Sequence, residues 1–147
     1  MVAALGRRPG TAKRTPPTPP FRSWTTSDDS CGPACSSMAA FKKDFRDEAV
    51  GLEKSAYTRF TPRYVTRKCP SDAASADCRD ACIHKGRYCA WAAVADAAKG
   101  KYKGRDVAEE NKRQLCVFNT AAAASKAWLW WEYAAGVATS CTMAKGK

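Results

Sequence analysis

The stretch from Cys69 to Cys89, CPSDAASADCRDACIHKGRYC, constrains this chain more than any other. It holds Cys69, Cys78, Cys82 and Cys89, four of the eight cysteines, and the single histidine, His84. Thiols this close form a disulfide knot, a metal site or a redox centre, and the choice decides the compartment. The even total suits pairing in an oxidising compartment, so Cys31, Cys35, Cys69, Cys78, Cys82, Cys89, Cys116 and Cys141 are all expected in disulfides. Eight thiols allow about 105 full pairings, and spacing leaves the connectivity open. Four thiolates would satisfy tetrahedral zinc, but the spacings are not those of paired CxxC knuckles. His84 has only Asp80 as an acid four residues away and reads as a surface residue, neither catalyst nor ligand.

At 147 residues the chain can bury one modest core, helped by cross-links. Alanine supplies much of its 45% hydrophobic fraction, and the aromatic residues cluster late. The net charge is +11, but Arg7, Arg8, Lys13 and Arg14 lie in an acid-free tail. Elsewhere the signs mix, as in Lys42-Lys43-Asp44-Phe45-Arg46-Asp47-Glu48, which reads as a solvated helix face. A nucleic-acid binder, the reading that +11 motivates, would show steeply salt-dependent affinity, and no affinity once residues 1–20 are removed would confine that charge to the tail. No run approaches the roughly 18 apolar residues of a membrane span. Met1–Leu5 is too short for the apolar core of a secretory leader, and Arg7-Arg8 ends it. Cysteines of a secretory type without a leader are reconciled if the chain is a fragment of a longer protein, or if its start is misassigned.

Residues 1–20 read as a disordered basic tail, because Thr15-Pro-Pro-Thr-Pro-Pro20 favours polyproline II. Phe21–Thr26 alternates as a short strand. Cys31-Gly-Pro-Ala-Cys35 then opens a helical pattern, with Met38, Phe41, Phe45, Val50 and Leu52 on its apolar face. Tyr57–Arg67 is β-rich, and Pro62 shifts the expected strand core to Tyr64–Arg67. Ala76–Lys85 is expected as a helix with Cys78 and Cys82 one turn apart, stopped by Gly86 as a C-cap. Residues 90–104 read as a loop. Asp106–Phe118 reads as a helix capped by Asp106, residues 120–125 as a turn or weak helix, and Trp128–Val137 as a second helix. The fold class is therefore α+β and mostly helical.

Cys31-Gly-Pro-Ala-Cys35 sits where thioredoxin-like folds place a redox pair, and a helix N-terminus lowers a thiol pKa. The active motif is CxxC, however, and the extra residue favours a structural disulfide. The run Trp128-Leu-Trp-Trp-Glu-Tyr133 could stack sugars or bases. It reads better as core filling, with Trp130 the ring most exposed. No Ser/His/Asp set, P-loop, dinucleotide fingerprint or paired-carboxylate signal is present, so no catalytic, cofactor-binding or metal residue is assigned.

These residues together resemble the central luminal region of plant and algal vacuolar sorting receptors. The resemblance is carried by Phe21-Arg-Ser-Trp-Thr-Thr-Ser-Asp-Asp-Ser-Cys-Gly-Pro-Ala-Cys35, Phe60-Thr-Pro-Arg-Tyr-Val-Thr66, Cys69-Pro70 and Gly86-Arg-Tyr-Cys-Ala90. It continues through Gly104-Arg-Asp-Val107, Glu110-Asn-Lys-Arg-Gln-Leu-Cys116, Trp128-Leu-Trp-Trp-Glu-Tyr133 and Cys141-Thr-Met143. It implies a partial thioredoxin-like strand–helix–strand start over a central domain at 21–147, with 69–147 a disulfide-stapled helical insertion. It further implies a non-catalytic module of a type I membrane cargo receptor of the Golgi, prevacuolar compartment and vacuole. Its partners would be soluble vacuolar proteins, bound with a protease-associated domain outside this chain, and not nucleic acid or membrane. Calcium belongs to the family's epidermal growth factor-like repeats, so no cofactor is expected here. The chain departs from the family pattern at Arg67-Lys68, at Trp91–Asp96 and at Asn119–Ser125, where the usual sequon is missing. The alternative is a thiol–disulfide oxidoreductase using Cys31 and Cys35.

Overall fold

The structure, a computed structural model, describes residues 18–29, 31–69, 75–90 and 102–143. The segment 1–17 of the expected tail and segment 91–101 of the expected loop lie outside the described residues. The described elements are mostly helical with a few short strands, cross-linked by disulfides. They run β1 (Pro20–Thr25), α1 (Pro33–Asp44), α2 (Arg46–Lys54), β2 (Arg59–Tyr64), α3 (Ala76–Ala81), β3 (Cys82–Ile83), β4 (Tyr88–Cys89), α4 (Gly104–Ala123) and α5 (Leu129–Ser140).

β1 and β2 pair in parallel, with Phe21 beside Phe60 and Trp24 beside Arg63, and α1 and α2 make the crossover between them. The expected strand core at Tyr64–Arg67 is corrected: the strand is Arg59–Tyr64 and includes Pro62. The proline is tolerated because its nitrogen faces away from β1. Arg59 and Val65 donate to Pro19 and Thr25 at 3.1 Å, so odd positions of β2 face the partner strand and even ones do not. The apolar face expected on one helix is divided between two, because Phe45 (φ −89°, ψ −4°) ends α1 and starts α2. The break lets Phe41 and Phe45 stack at 5.1 Å and meet Trp131 edge-on at 6.2 and 5.7 Å.

Phe60 stands at the centre of the main core, with ring centroids of Trp130 and Trp131 at 4.7 and 4.6 Å and Phe118 at 6.4 Å. Ala49 and Ala134 complete the cluster. Few large rings do the filling, as an alanine-rich chain requires. Trp130 is only 1% exposed, which overturns its expected exposure. α5 packs against α1 and α2 on one side and α4 on another, so a single outward face was the wrong assumption. Trp128 holds the outer position instead, under Lys54 at 3.9 Å from its ring centroid.

α4 is longer than expected at both ends, since Thr120–Ala123 continues it. Asp106 is not its N-cap residue. Its Oδ2 accepts from the Lys103 N–H at 2.8 Å, reaching back to the cap from three residues inside. Gly104 begins the helix where a Cβ would overlap the Ala90 carbonyl, so the residue must be small.

The expected helix Ala76–Lys85 stops at Ala81. Cys82 is extended (φ −127°, ψ 156°), and Cys82–Ile83 pairs antiparallel with Tyr88–Cys89. His84, Lys85 and Gly86 turn the hairpin with φ of 50°, 56° and 80°. Gly86 therefore serves a hairpin turn rather than a helix cap. Cys78 and Cys82 are not one helical turn apart on a shared face.

Candidate functional site

The connection from β1 to α1 carries the pair that a thioredoxin-like redox chemistry would use, Cys31 and Cys35. Its backbone is fixed by buried polar contacts. The Ser27 N–H donates to Asn111 Oδ1 at 2.8 Å, and Ser27 Oγ donates to the Val107 carbonyl at 3.1 Å. Tyr102 Oη donates to Asp28 Oδ1 at 2.8 Å, and the Met143 N–H donates to Asp29 Oδ2 at 2.9 Å. From the helix that follows, Lys42 Nζ donates to the Thr26 carbonyl at 2.5 Å. α4, α1 and the C-terminal segment thus hold the turn that presents the cysteines.

Gly32 precedes α1 with φ 109°, a conformation other residues resist, and Pro33 opens the helix without an N–H to waste. Cys31 and Cys35 are joined by a disulfide; Cys31 is exposed and Cys35 is buried. Ligand atoms of Asp28, Cys31 and Cys35 lie within 4.8 Å of one another. The groove here encloses about 400 Å³ and is lined by Thr25, Met38 and Val107 besides these three. In the oxidised state neither sulfur is a nucleophile or a metal ligand. Only reduction would expose a thiolate beside the Asp28 carboxylate.

The structure also joins Cys69 to Cys78 and Cys82 to Cys89. Cys69, Cys78, Ala81, Cys82 and Cys89 form a small buried cluster of their own. Sulfurs of Cys69, Cys78 and Cys82 lie within 4.8 Å of one another, a spacing zinc would accept only with both bonds reduced. Cys116 and Cys141 depart from the sequence expectation, being exposed free thiols. Both were expected in disulfides with the other six cysteines. The knot instead closes on itself, and Ala90 N–H to the Ala81 carbonyl (3.0 Å) adds a backbone link. His84 is exposed on the hairpin turn, edge-on to Tyr88 at 5.8 Å.

Sequence reading missed a polar seam between α4, α5 and β2. Tyr64 Oη donates to Gln114 Oε1 at 2.6 Å and accepts from Trp130 Nε1 at 3.0 Å. Gln114 Nε2 donates to Glu110 Oε1 at 3.2 Å, and Glu110 is paired with Arg113. Burial drives the Tyr64 phenol pKa far upward, and the nearby Glu110 charge adds to this against the opposing Trp130 hydrogen bond. A helix that carried Glu110 and Gln114 on the face of Val107 and Asn111 was the available signal. Beside this seam a cavity of about 530 Å³ is lined by Tyr102, Glu110, Arg113, Tyr133 and Met143.

A family model described as the vacuolar sorting receptor thioredoxin-like domain matches residues 20–147. The chain belongs to this family. It is 44% identical over 128 residues to vacuolar-sorting receptor 1 of Pisum sativum, covering 86% of this chain and 20% of that protein. To vacuolar-sorting receptors 3 and 5 of Arabidopsis thaliana it is 42% and 38% identical over the same length, covering 86% of this chain each time. The chain spans about a fifth of the length of these curated relatives. Within this vacuolar sorting receptor domain, the β1–α1 connection is the thioredoxin-like feature. The disulfide-bonded hairpin and the α4–α5 pair pack around it. Among the described residues no helix is long and apolar enough to cross a membrane.

Proposed function

We propose that this chain is a non-catalytic luminal module of a vacuolar cargo-sorting receptor, supporting the binding of soluble vacuolar proteins during Golgi-to-vacuole transport. The observation that carries the reading is the family match running from β1 through the end of the chain. Three disulfides fit an oxidising lumen. Cargo is engaged jointly with a protease-associated domain of the full receptor, and the module needs no resident cofactor. The test exchanges residues 20–147 into the matching segment of a full-length relative and measures capture of a soluble vacuolar protein. The exchanged receptor is expected to capture cargo, and the receptor lacking the segment to lose at least about fivefold in affinity. Undiminished capture on deletion would overturn the reading.

One observation favours a second reading, thiol–disulfide exchange. Cys31 is exposed, Cys35 is buried, and the Asp28 carboxylate lies beside both. In that chemistry a partner's thiolate attacks the Cys31 sulfur, forms a mixed disulfide and releases Cys35 as a thiolate. Insulin reduction by the wild type, lost in Cys31→Ser, would establish it. The receptor reading expects no turnover above the reductant alone.

A further inference from the structure

Two of the disulfides touch. Cys69–Cys78 and Cys82–Cys89 share one buried cluster with Ala81. The sulfurs of Cys69, Cys78 and Cys82 lie within 4.8 Å of one another, so Cys82 stands beside both ends of the neighbouring bond. Cys89 is drawn into the same group. Its Sγ is 3.5 Å from the Gly86 carbonyl oxygen, which also accepts from the Cys69 N–H at 2.9 Å. Arg67 and Cys89 exchange both backbone bonds, at 3.0 and 2.8 Å, and hold the approach to Cys69 against β4. Cys31–Cys35 differs: the group of close ligand atoms around it adds Asp28 and no third cysteine.

A thiolate exchanges with a disulfide when it can reach one of its sulfurs. Opening either bond of the cluster places a new thiolate beside the other. We infer that the four cysteines form an exchange centre with two pairings, Cys69–Cys78 with Cys82–Cys89 and Cys78–Cys82 with Cys69–Cys89, which a low-molecular-weight thiol interconverts. Cys69, at 9% the least buried of the four, is the point of entry. The small thiolate attacks the Cys69 sulfur, forms a mixed disulfide and releases Cys78 as a thiolate. Cys78 attacks the Cys82 sulfur, forms Cys78–Cys82 and releases Cys89. Cys89 attacks the mixed disulfide, forms Cys69–Cys89 and returns the small thiol. Two disulfides are present before and after, so the thiol is a catalyst and no net oxidation or reduction occurs.

The two pairings hold the hairpin differently. In the first, β3 and β4 are tied to each other across the pair Cys82 and Cys89. In the second, β3 is tied back to α3 and β4 to the segment before it. Ala90, next to Cys89, meets the start of α4 where a Cβ on Gly104 would overlap its carbonyl. The exchange therefore acts where the hairpin packs on the long helix, and it goes beyond the binding-module reading.

The test is peptide mapping of the full chain carrying Cys116→Ser and Cys141→Ser, which removes the two free thiols as competing partners. The chain is incubated without oxygen with reduced glutathione, quenched with acid and N-ethylmaleimide, and cut with trypsin without reduction. Cleavage after Lys68, Arg79, Lys85, Arg87 and Lys99 places Cys69 and Cys78 in peptide 69–79, Cys82 in 80–85 and Cys89 in 88–99. At the start, 69–79 is a looped peptide by itself and 80–85 is joined to 88–99. Exchange is expected to join all three, at a rate rising about tenfold from pH 6.5 to 7.5 as thiolate forms. Adding Cys89→Ser leaves Cys82 without its partner, and 69–79 should then join 80–85 with no glutathione, the adduct lying on Cys69. Circular dichroism must show each variant folded as the wild type; if the Cys89→Ser chain is not, the glutathione reaction alone decides. Peptide 69–79 remaining looped and unjoined would overturn the proposal. So would equal yields of links from these cysteines to Cys31 or Cys35, the pattern of exchange through unfolding.

Discussion

Lys42 is the residue whose environment departs furthest from its sequence context. In Lys42-Lys43-Asp44 it reads as one more solvated charge, yet it is 5% exposed, while Lys43 and Asp44 remain on the surface. No local pattern distinguishes it, because what buries it is the β1–α1 turn arriving from earlier in the chain. Burial lowers its pKa to about 8, and the Asp29 and Glu110 charges oppose the shift. Folded and unfolded chains both hold the proton below pH 8, so the cost of burying the charge is constant there. Between pH 8 and its ordinary value the unfolded chain binds more protons, and stability rises with pH by up to about 3 kcal/mol. Tyr64 acts oppositely. Its raised pKa favours the neutral phenol, so its contribution is lost only as pH climbs above about 10. The urea midpoint should therefore rise from pH 7.5 to about 9.5. Lys42→Met should flatten that rise, and a slope unchanged in the variant would contradict the assignment.

At the scale of elements, the helices with a continuous pattern were legible and those closed by distant contacts were not. β1, α1 and the two late helices follow from periodicity. The break at Phe45 does not, since it serves edge-on contacts of Phe41 and Phe45 with Trp131, far along the chain. The end of α3 at Ala81 is set by pairing of Cys82 with Cys89, which local helix propensity cannot foresee. Pro62 misled because a proline is excluded from a strand only where its nitrogen must donate. The aromatic run of α5 was rightly read as core, but its ring-by-ring exposure depends on having helices on two sides. Trp131→Ala removes a ring that touches Phe41, Phe45 and Phe60, and should cost about 3–5 kcal/mol in urea unfolding. Trp24→Ala, at an exposed position, should change stability by under about 0.5 kcal/mol. Comparable losses in both would mean that the two indoles are not divided between core and surface.

For the whole molecule, cysteine count and family motifs indicated a cross-linked luminal domain before any contact was visible. Connectivity was not legible, because spacing cannot rank so many pairings. The structure uses short local links: Cys31–Cys35, Cys69–Cys78 and Cys82–Cys89 each close a loop of ten residues or fewer. The disulfides expected at Cys116 and Cys141 are missing, and burial of Phe60, Trp130 and Trp131 joins the parts. That the chain works as an oxidised scaffold with its chemistry locked in disulfides is tested most directly by intact mass after alkylation without reductant. Two adducts, on Cys116 and Cys141, are predicted, rising to eight after reduction. Eight adducts before reduction would contradict the oxidised scaffold, and none would contradict the free thiols.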